Sequence, residues 1–146
     1  MDVKILVIHG PNLNMLGKRE PGHYGTETME EINRQMIQKG SQLGMEVDFY
    51  QSNCEGQIID RIQSACDQYN GMIINPAAYT HTSLAIRDAL LLLSIPVVEV
   101  HLSNIYQRES FRRHSMIADV VSGQISGFGS NGYLLAMDAV FQLLRS

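Results

Sequence analysis

The groups in this chain with the types and spacing for chemistry gather in three polar stretches. Pro11 to Gly25 carries Asn12, Asn14, Lys18, Arg19, Glu20, His23 and Tyr24. Asn75 to Ser83, reading NPAAYTHTS, adds Asn75 and His81. The third begins at His101, with Glu99, Ser103 and Asn104 around it, and continues through Arg108, Arg112 and Arg113. Together they suit acid-base chemistry on an anion. Tyr24 beside Arg19 and His101 as a proton carrier supply the proton transfers, Asn12 and Asn75 are neutral donors, and the arginines take a carboxylate.

Other chemistries fit less well. The chain has no GxSxG elbow, and of Lys4, Lys18 and Lys39, the candidates for an imine, Lys4 flanks a strand and Lys39 sits on a helix surface. His9, His81 and His101 lie at or just past strand ends, but their spacing matches no compact ligand motif and no cysteine or carboxylate cluster completes it, so no metal is expected. His9 is better read as a hydrogen-bonded core residue. Gly127-Phe128-Gly129-Ser130-Asn131-Gly132 matches GxGxxG between a strand and a helix, yet no further strand with an acidic residue follows to hold a ribose. Tight turning and close packing account for those glycines. A Walker loop is missing, and strand three ends in Asn75 rather than the Asp of a phospho-receiver.

Short apolar runs alternating with helical patterns must position these stretches. Val3 to Ile8 predicts a buried strand stopped by His9-Gly10-Pro11. Gly17, Gly22 and Gly25 space the loop after it, so its distal part reads as a lid over a ligand. Thr28, with Glu31 three residues on, predicts a capped helix ending near Gly44. Val47 to Tyr50 predicts the second strand, and the helix after it places Ile58, Ile59, Ile62, Ala65, Cys66 and Tyr69 on one face, with Cys66 in the core. Met72 to Ile74 and Ile95 to Val100 predict the third and fourth strands. The helix between them, about Ser83 to Ser94, is apolar nearly all round and needs cover on a second side, from another subunit or from a central position in the fold. Spacing by four puts Arg108 and Arg112 on one helical face. Val120 to Ile125 predicts the fifth strand, and Ser130 to Leu144 a last helix with Leu134, Met137, Val140 and Leu144 inward. Five such strands with crossover helices imply an α/β fold with a parallel sheet of order 2-1-3-4-5, whose ligand lies beyond the strands' carboxyl ends. The loops after strands one, three and four should converge there.

A length of 146 residues with 45% hydrophobic content fits one domain, so residues 1–146 are expected to form a single catalytic domain. The net charge of -4 argues against nucleic acid and anionic membrane as partners. Two cysteines without framework spacing and no long apolar run point to a reduced, cytoplasmic protein.

Four blocks, GPNLNMLGKREPGHYG at Gly10 to Gly25, NPAAYTHTSLAIRDAL at Asn75 to Leu90, EVHLSNIYQRESFRRHS at Glu99 to Ser115 and GFGSNGY at Gly127 to Tyr133, closely resemble type II 3-dehydroquinate dehydratase along the whole chain. Ala77 departs from the glycine expected there. The resemblance implies a flavodoxin-like three-layer sandwich, a homododecamer built as a tetramer of trimers, and no cofactor or metal. It implies a hydro-lyase of the shikimate pathway, converting 3-dehydroquinate, a small anionic cyclic substrate, to 3-dehydroshikimate by anti elimination through an enolate. Tyr24 would be the base, with Arg19 favouring its phenolate, because a tyrosine of pKa ~10 is ionised to only about one part in a thousand at pH 7. Asn12 would hold the enolate oxygen through a water, and His101 would protonate the departing hydroxyl. Arg112 would bind the substrate carboxylate with Leu102 and Ser103, Asn75 and His81 would hold ring hydroxyls, and Asp88 would reach a neighbouring subunit's site. Glu99 and Arg108 would tune His101 and Tyr24. The competing reading is a small-molecule or flavin-binding module on the same fold, which has no need of a phenol beside Arg19.

Overall fold

In a computed structural model, which describes residues 3–18 and 26–146, the first strand sends alternate side chains into different cores. Within β1 (Val3–His9), Ile5 and Val7 pack on one face of the sheet with Ile32, Met36, Met137 and Val140, while Leu6 and Ile8 pack on the other with Ile58, Ile62 and Ile86. A strand apolar on both faces belongs inside a parallel sheet covered twice, which is why its sequence is a continuous apolar run rather than an alternation.

The described residues complete that sheet with β2 (Met45–Gln51), β3 (Gly71–Asn75), β4 (Val97–His101) and β5 (Gly123–Ser126). All pairings are parallel and the order is β2-β1-β3-β4-β5. Helices α1 (Met29–Leu43) and α4 (Asn131–Arg145) cover one face, α2 (Glu55–Ser64) and α3 (Leu84–Leu90) the other. This is the expected flavodoxin-like three-layer sandwich. The α1 signals act as read: Thr28 Oγ1 accepts from the Glu31 N–H at 3.2 Å, and Gly44 closes the helix at φ 73°.

Several elements differ from their sequence reading. Helix α2 stops at Ser64 and the chain turns at Ala65, so Cys66, expected in the core, is exposed. Helix α3 ends at Leu90 instead of Ser94, because the chain must turn toward Pro96 and β4. Leu84 within the helix and Leu91 and Leu92 after it are exposed on this chain, which excludes the central position in the fold. Arg108 and Arg112 do not share a helical face, since residues 105–115 form two separate 3-10 turns, Ile105–Gln107 and Ser110–Arg112. Strand β5 begins at Gly123, with Val120 and Val121 in the preceding turn. In α4, Tyr133, Ala136, Met137 and Val140 are the buried face, whereas Leu134 and Leu144 are only partly buried.

Candidate active site

The carboxyl ends of β1, β3 and β4 open into a cleft lined by Asn12, Leu13 and Leu16 from the first loop, Asn75, Ala77 and His81 from the second, and His101, Leu102, Ser103, Arg108 and Arg112 from the third. The expected convergence is thus present. Arg19 and Tyr24, with the greater part of the expected lid, lie outside the described residues. Asp88 is exposed on α3 and does not line this chain's cleft.

Each wall has its own support. Asn12 sits at φ 70°, in the left-handed region that asparagine tolerates better than most residues. Its N–H donates to Asn53 Oδ1 at 3.0 Å, and Gln51 Nε2 donates to that oxygen at 3.2 Å and to the Gly10 carbonyl at 3.2 Å, tying the first loop to the end of β2. Beneath this wall Gly10 touches the chain after β3 so closely that a Cβ would meet the Pro76 carbonyl carbon and oxygen at 2.6 Å. Asn75 is buried at the cleft floor, with Oδ1 accepting from the Ala77 N–H at 3.0 Å. Ala77 holds φ 53°, a left-handed conformation that a glycine would occupy without steric cost, which explains why the resemblance expects glycine there.

His101 is fixed from below by a carboxylate. Glu99 and His101 lie two apart on β4, so both side chains leave the same face of the strand. The imidazole donates from Nε2 to Glu99 Oε2 at 2.6 Å, which leaves Nδ1 as the nitrogen that can serve a ligand. Glu99 is completely buried. Thr80 Oγ1 donates to Glu99 Oε2 at 3.0 Å and Ser115 Oγ reaches both carboxylate oxygens at 3.0 Å. Burial alone would raise the carboxyl pKa, but the bond from His101 and those from the two hydroxyls outweigh it, and the pKa lies below the ordinary carboxylate range. His81 stacks beside His101, ring centroids 6.3 Å apart and 20° between planes. Its Nδ1–H donates to the His114 carbonyl at 2.9 Å, and partial burial lowers its pKa. It is a neutral imidazole with Nε2 bare as an acceptor.

The third loop brings two arginines to the cleft. Arg112 Nε donates to Glu109 Oε1 at 3.1 Å, an anchor that still permits both Nη nitrogens to take a carboxylate, and Arg108 Nε stands 3.9 Å from the same oxygen. Thr80 and Ser115 escaped the sequence reading; hydroxyls are too common to stand out until the fold brings positions 80, 99 and 115 together. The fold brings the His101 imidazole, the His81 imidazole and the Arg108 and Arg112 side chains into one cleft. Among the described residues there is no group of three or more His, Cys, Asp or Glu that could hold a metal ion, and no helix is long and apolar enough to cross a membrane.

Known proteins resemble this chain along nearly its whole length. The family model described as dehydroquinase class II matches residues 3–141. A 3-dehydroquinate dehydratase of Acaryochloris marina is 58% identical over 142 residues, 97% of this chain and 95% of that protein. One of Geotalea daltonii is 54% identical over 143 residues, 98% and 99% of the two chains. Among solved structures, the type II dehydroquinase of Propionibacterium acnes superposes with a TM-score of 0.94 at 43% identity, covering 97% of this chain and 98% of that one.

Proposed function

The chain belongs to the class II dehydroquinase family and is a hydro-lyase, and from that premise we propose how it removes water from 3-dehydroquinate to form 3-dehydroshikimate in the shikimate pathway. Arg112 takes the substrate carboxylate, with Leu102 and Ser103 completing that subsite, and Asn75 and His81 hold ring hydroxyls. The Tyr24 phenolate, favoured by Arg19, removes a proton from C2. The electron pair moves onto the C3 carbonyl oxygen, and Asn12 steadies the resulting enolate through a water. The pair then returns, the C1–O bond breaks, and His101 gives its proton to the departing hydroxyl, which leaves as water. Arg108 tunes Tyr24.

The observation that carries this reading is the His101–Glu99 pair at the cleft floor: an imidazole held at 2.6 Å on a buried carboxylate, with Arg108 and Arg112 lining the same cleft. Such a carboxylate fixes the orientation of the ring, as a positioned proton donor needs. We further propose that the single catalytic domain is cytoplasmic and works as a homododecamer, a tetramer of trimers. The exposed Leu84, Leu91 and Leu92 would be covered by a neighbouring subunit, whose site would receive the Asp88 carboxylate. Sedimentation of the purified protein checks the assembly.

The decisive experiment follows ultraviolet absorbance after mixing protein with 3-dehydroquinate, because the elimination creates a conjugated enone carboxylate. Absorbance is expected to rise, to persist after chelator dialysis and borohydride treatment, and to vanish in Tyr24→Phe while ligand affinity is largely retained. A Tyr24→Phe enzyme turning over at the parent rate would overturn the mechanism.

A further inference from the structure

His9 and Tyr133 are both completely buried and take no part in the chemistry above. They form a chain whose direction can be read link by link. His9 Nε2 lies 2.8 Å from Asn33 Oδ1, and an amide oxygen only accepts, so Nε2 carries the ring hydrogen. Burial pushes the imidazole down to about 4, and the ring is neutral, with Nδ1 a bare acceptor. The Tyr133 hydroxyl, 3.0 Å from Nδ1, therefore gives its hydrogen to His9. That leaves the phenol oxygen to accept from Asn75 Nδ2, also at 3.0 Å. At the other end of the same amide, Oδ1 accepts from the Ala77 N–H. Turning the Asn75 amide over would set its nitrogen against the Ala77 N–H, donor to donor, and its oxygen against a phenol whose hydrogen is already committed.

We propose that Tyr133 and His9, anchored by Asn33, are positioning residues that lock the Asn75 amide one way round, so that one N–H and one oxygen lone pair stand in fixed places for a substrate hydroxyl. The inference rests on the reading of Asn75 as the holder of a ring hydroxyl. Residues that touch no substrate thereby set the cleft's selectivity: the register of β1 against β3, with His9 beside Asn75, brings the relay to the amide, and α4 and α1 supply the phenol and the anchor.

Steady-state kinetics on 3-dehydroquinate with the full chain test it, using Asn75→Ala, Tyr133→Phe, the double variant and Asn33→Leu. Tyr133→Phe should raise KM about tenfold while kcat stays within about threefold, because a uniformly bound hydroxyl loses its fixed partner. In the Asn75→Ala background the same change should add nothing, since there is no amide left to orient. Effects of the two substitutions that simply multiply, or a Tyr133→Phe enzyme with lower kcat and parent KM, would overturn the proposal. Should Asn75→Ala leave KM unchanged, the reading of Asn75 falls and this inference with it; if Asn75→Ala raises KM and Tyr133→Phe does not, only the positioning role falls. Where Tyr133→Phe does not fold, Asn33→Leu decides, because both buried rings remain and only the anchor is lost. A severalfold rise in KM supports the relay, and the parent KM refutes it.

Discussion

A carboxyl group as deeply buried as Glu99 would ordinarily be neutral, since removing a charge from water is costly unless donors replace the water. Three side chains do so here: His101, Thr80 and Ser115. Their effect on catalysis should be unequal. Glu99→Gln keeps an oxygen opposite Nε2 but removes the carboxylate that holds the ring in place, and kcat should fall about a hundredfold, within the range a positioned proton donor contributes. Ser115→Ala removes one of the carboxylate's bonds and should cost about tenfold, in line with the loss of a hydrogen bond to a charged group. Stopped-flow absorbance on both variants measures the ratio; equal losses would mean that Ser115 does more than hold Glu99. No sequence pattern could have ranked these residues, because a serine 16 positions from Glu99 becomes its partner only through the fold.

At the scale of elements, the cleft depends on how closely the ends of β1 and β3 approach. The Gly10 N–H donates to the Asn75 carbonyl at 2.8 Å, and an added Cβ would meet backbone atoms that no side-chain rotation can clear. Gly10→Ala should therefore destabilise the protein by about 1–3 kcal/mol, the usual cost of overpacking, and lower activity by moving Asn12 away from Asn75. Urea unfolding with a parallel activity assay checks both, and unchanged stability would show that the loops shift freely. Legibility in the sequence follows the same physics. Long apolar runs such as Val3 to Ile8 and capped ends such as Thr28 and Gly44 are local signals, and they located their elements correctly. Some misjudged elements turned on distant chain, as where β5 starts only at the Gly123 that pairs with Val98; others were ends of helical patterns, with α2 stopping before Cys66, α3 cut short by the turn toward Pro96, and residues 105–115 drawn into 3-10 turns. The cleft was readable because it gathers polar residues after apolar strands; its supports behind the surface, the buried Thr80 and Tyr133 and the part-buried Ser115, were not.

Over the whole molecule the cleft rests on two separate polar supports, one beneath each face of the sheet. The Glu99 cluster lies on the side of α2 and α3, with Thr80 and Ser115, and the His9 relay on the side of α1 and α4. They respond to acid in different windows. His9 has a folded pKa of about 4 against 6.5 when exposed, so the unfolded chain takes up a proton first as pH falls. Stability is then full above pH 6.5 and is lost between 6.5 and about 4, by up to ~3 kcal/mol at ~1.4 kcal/mol per unit. Glu99 is also lowered, so its contribution is present above its unfolded value of 4.5 and disappears only below it. Of the lowered groups, the upper window belongs to His9 with a smaller share from the half-buried His81, whose pKa moves the same way. Urea unfolding of the parent and of His9→Gln at pH 7, 6 and 5 should show parent stability falling with pH and the variant, less stable at pH 7, falling distinctly less. Parallel curves would mean that His9 accepts a proton in place, and the neutral ring on which the direction of its hydrogen bonds depends would have to be abandoned.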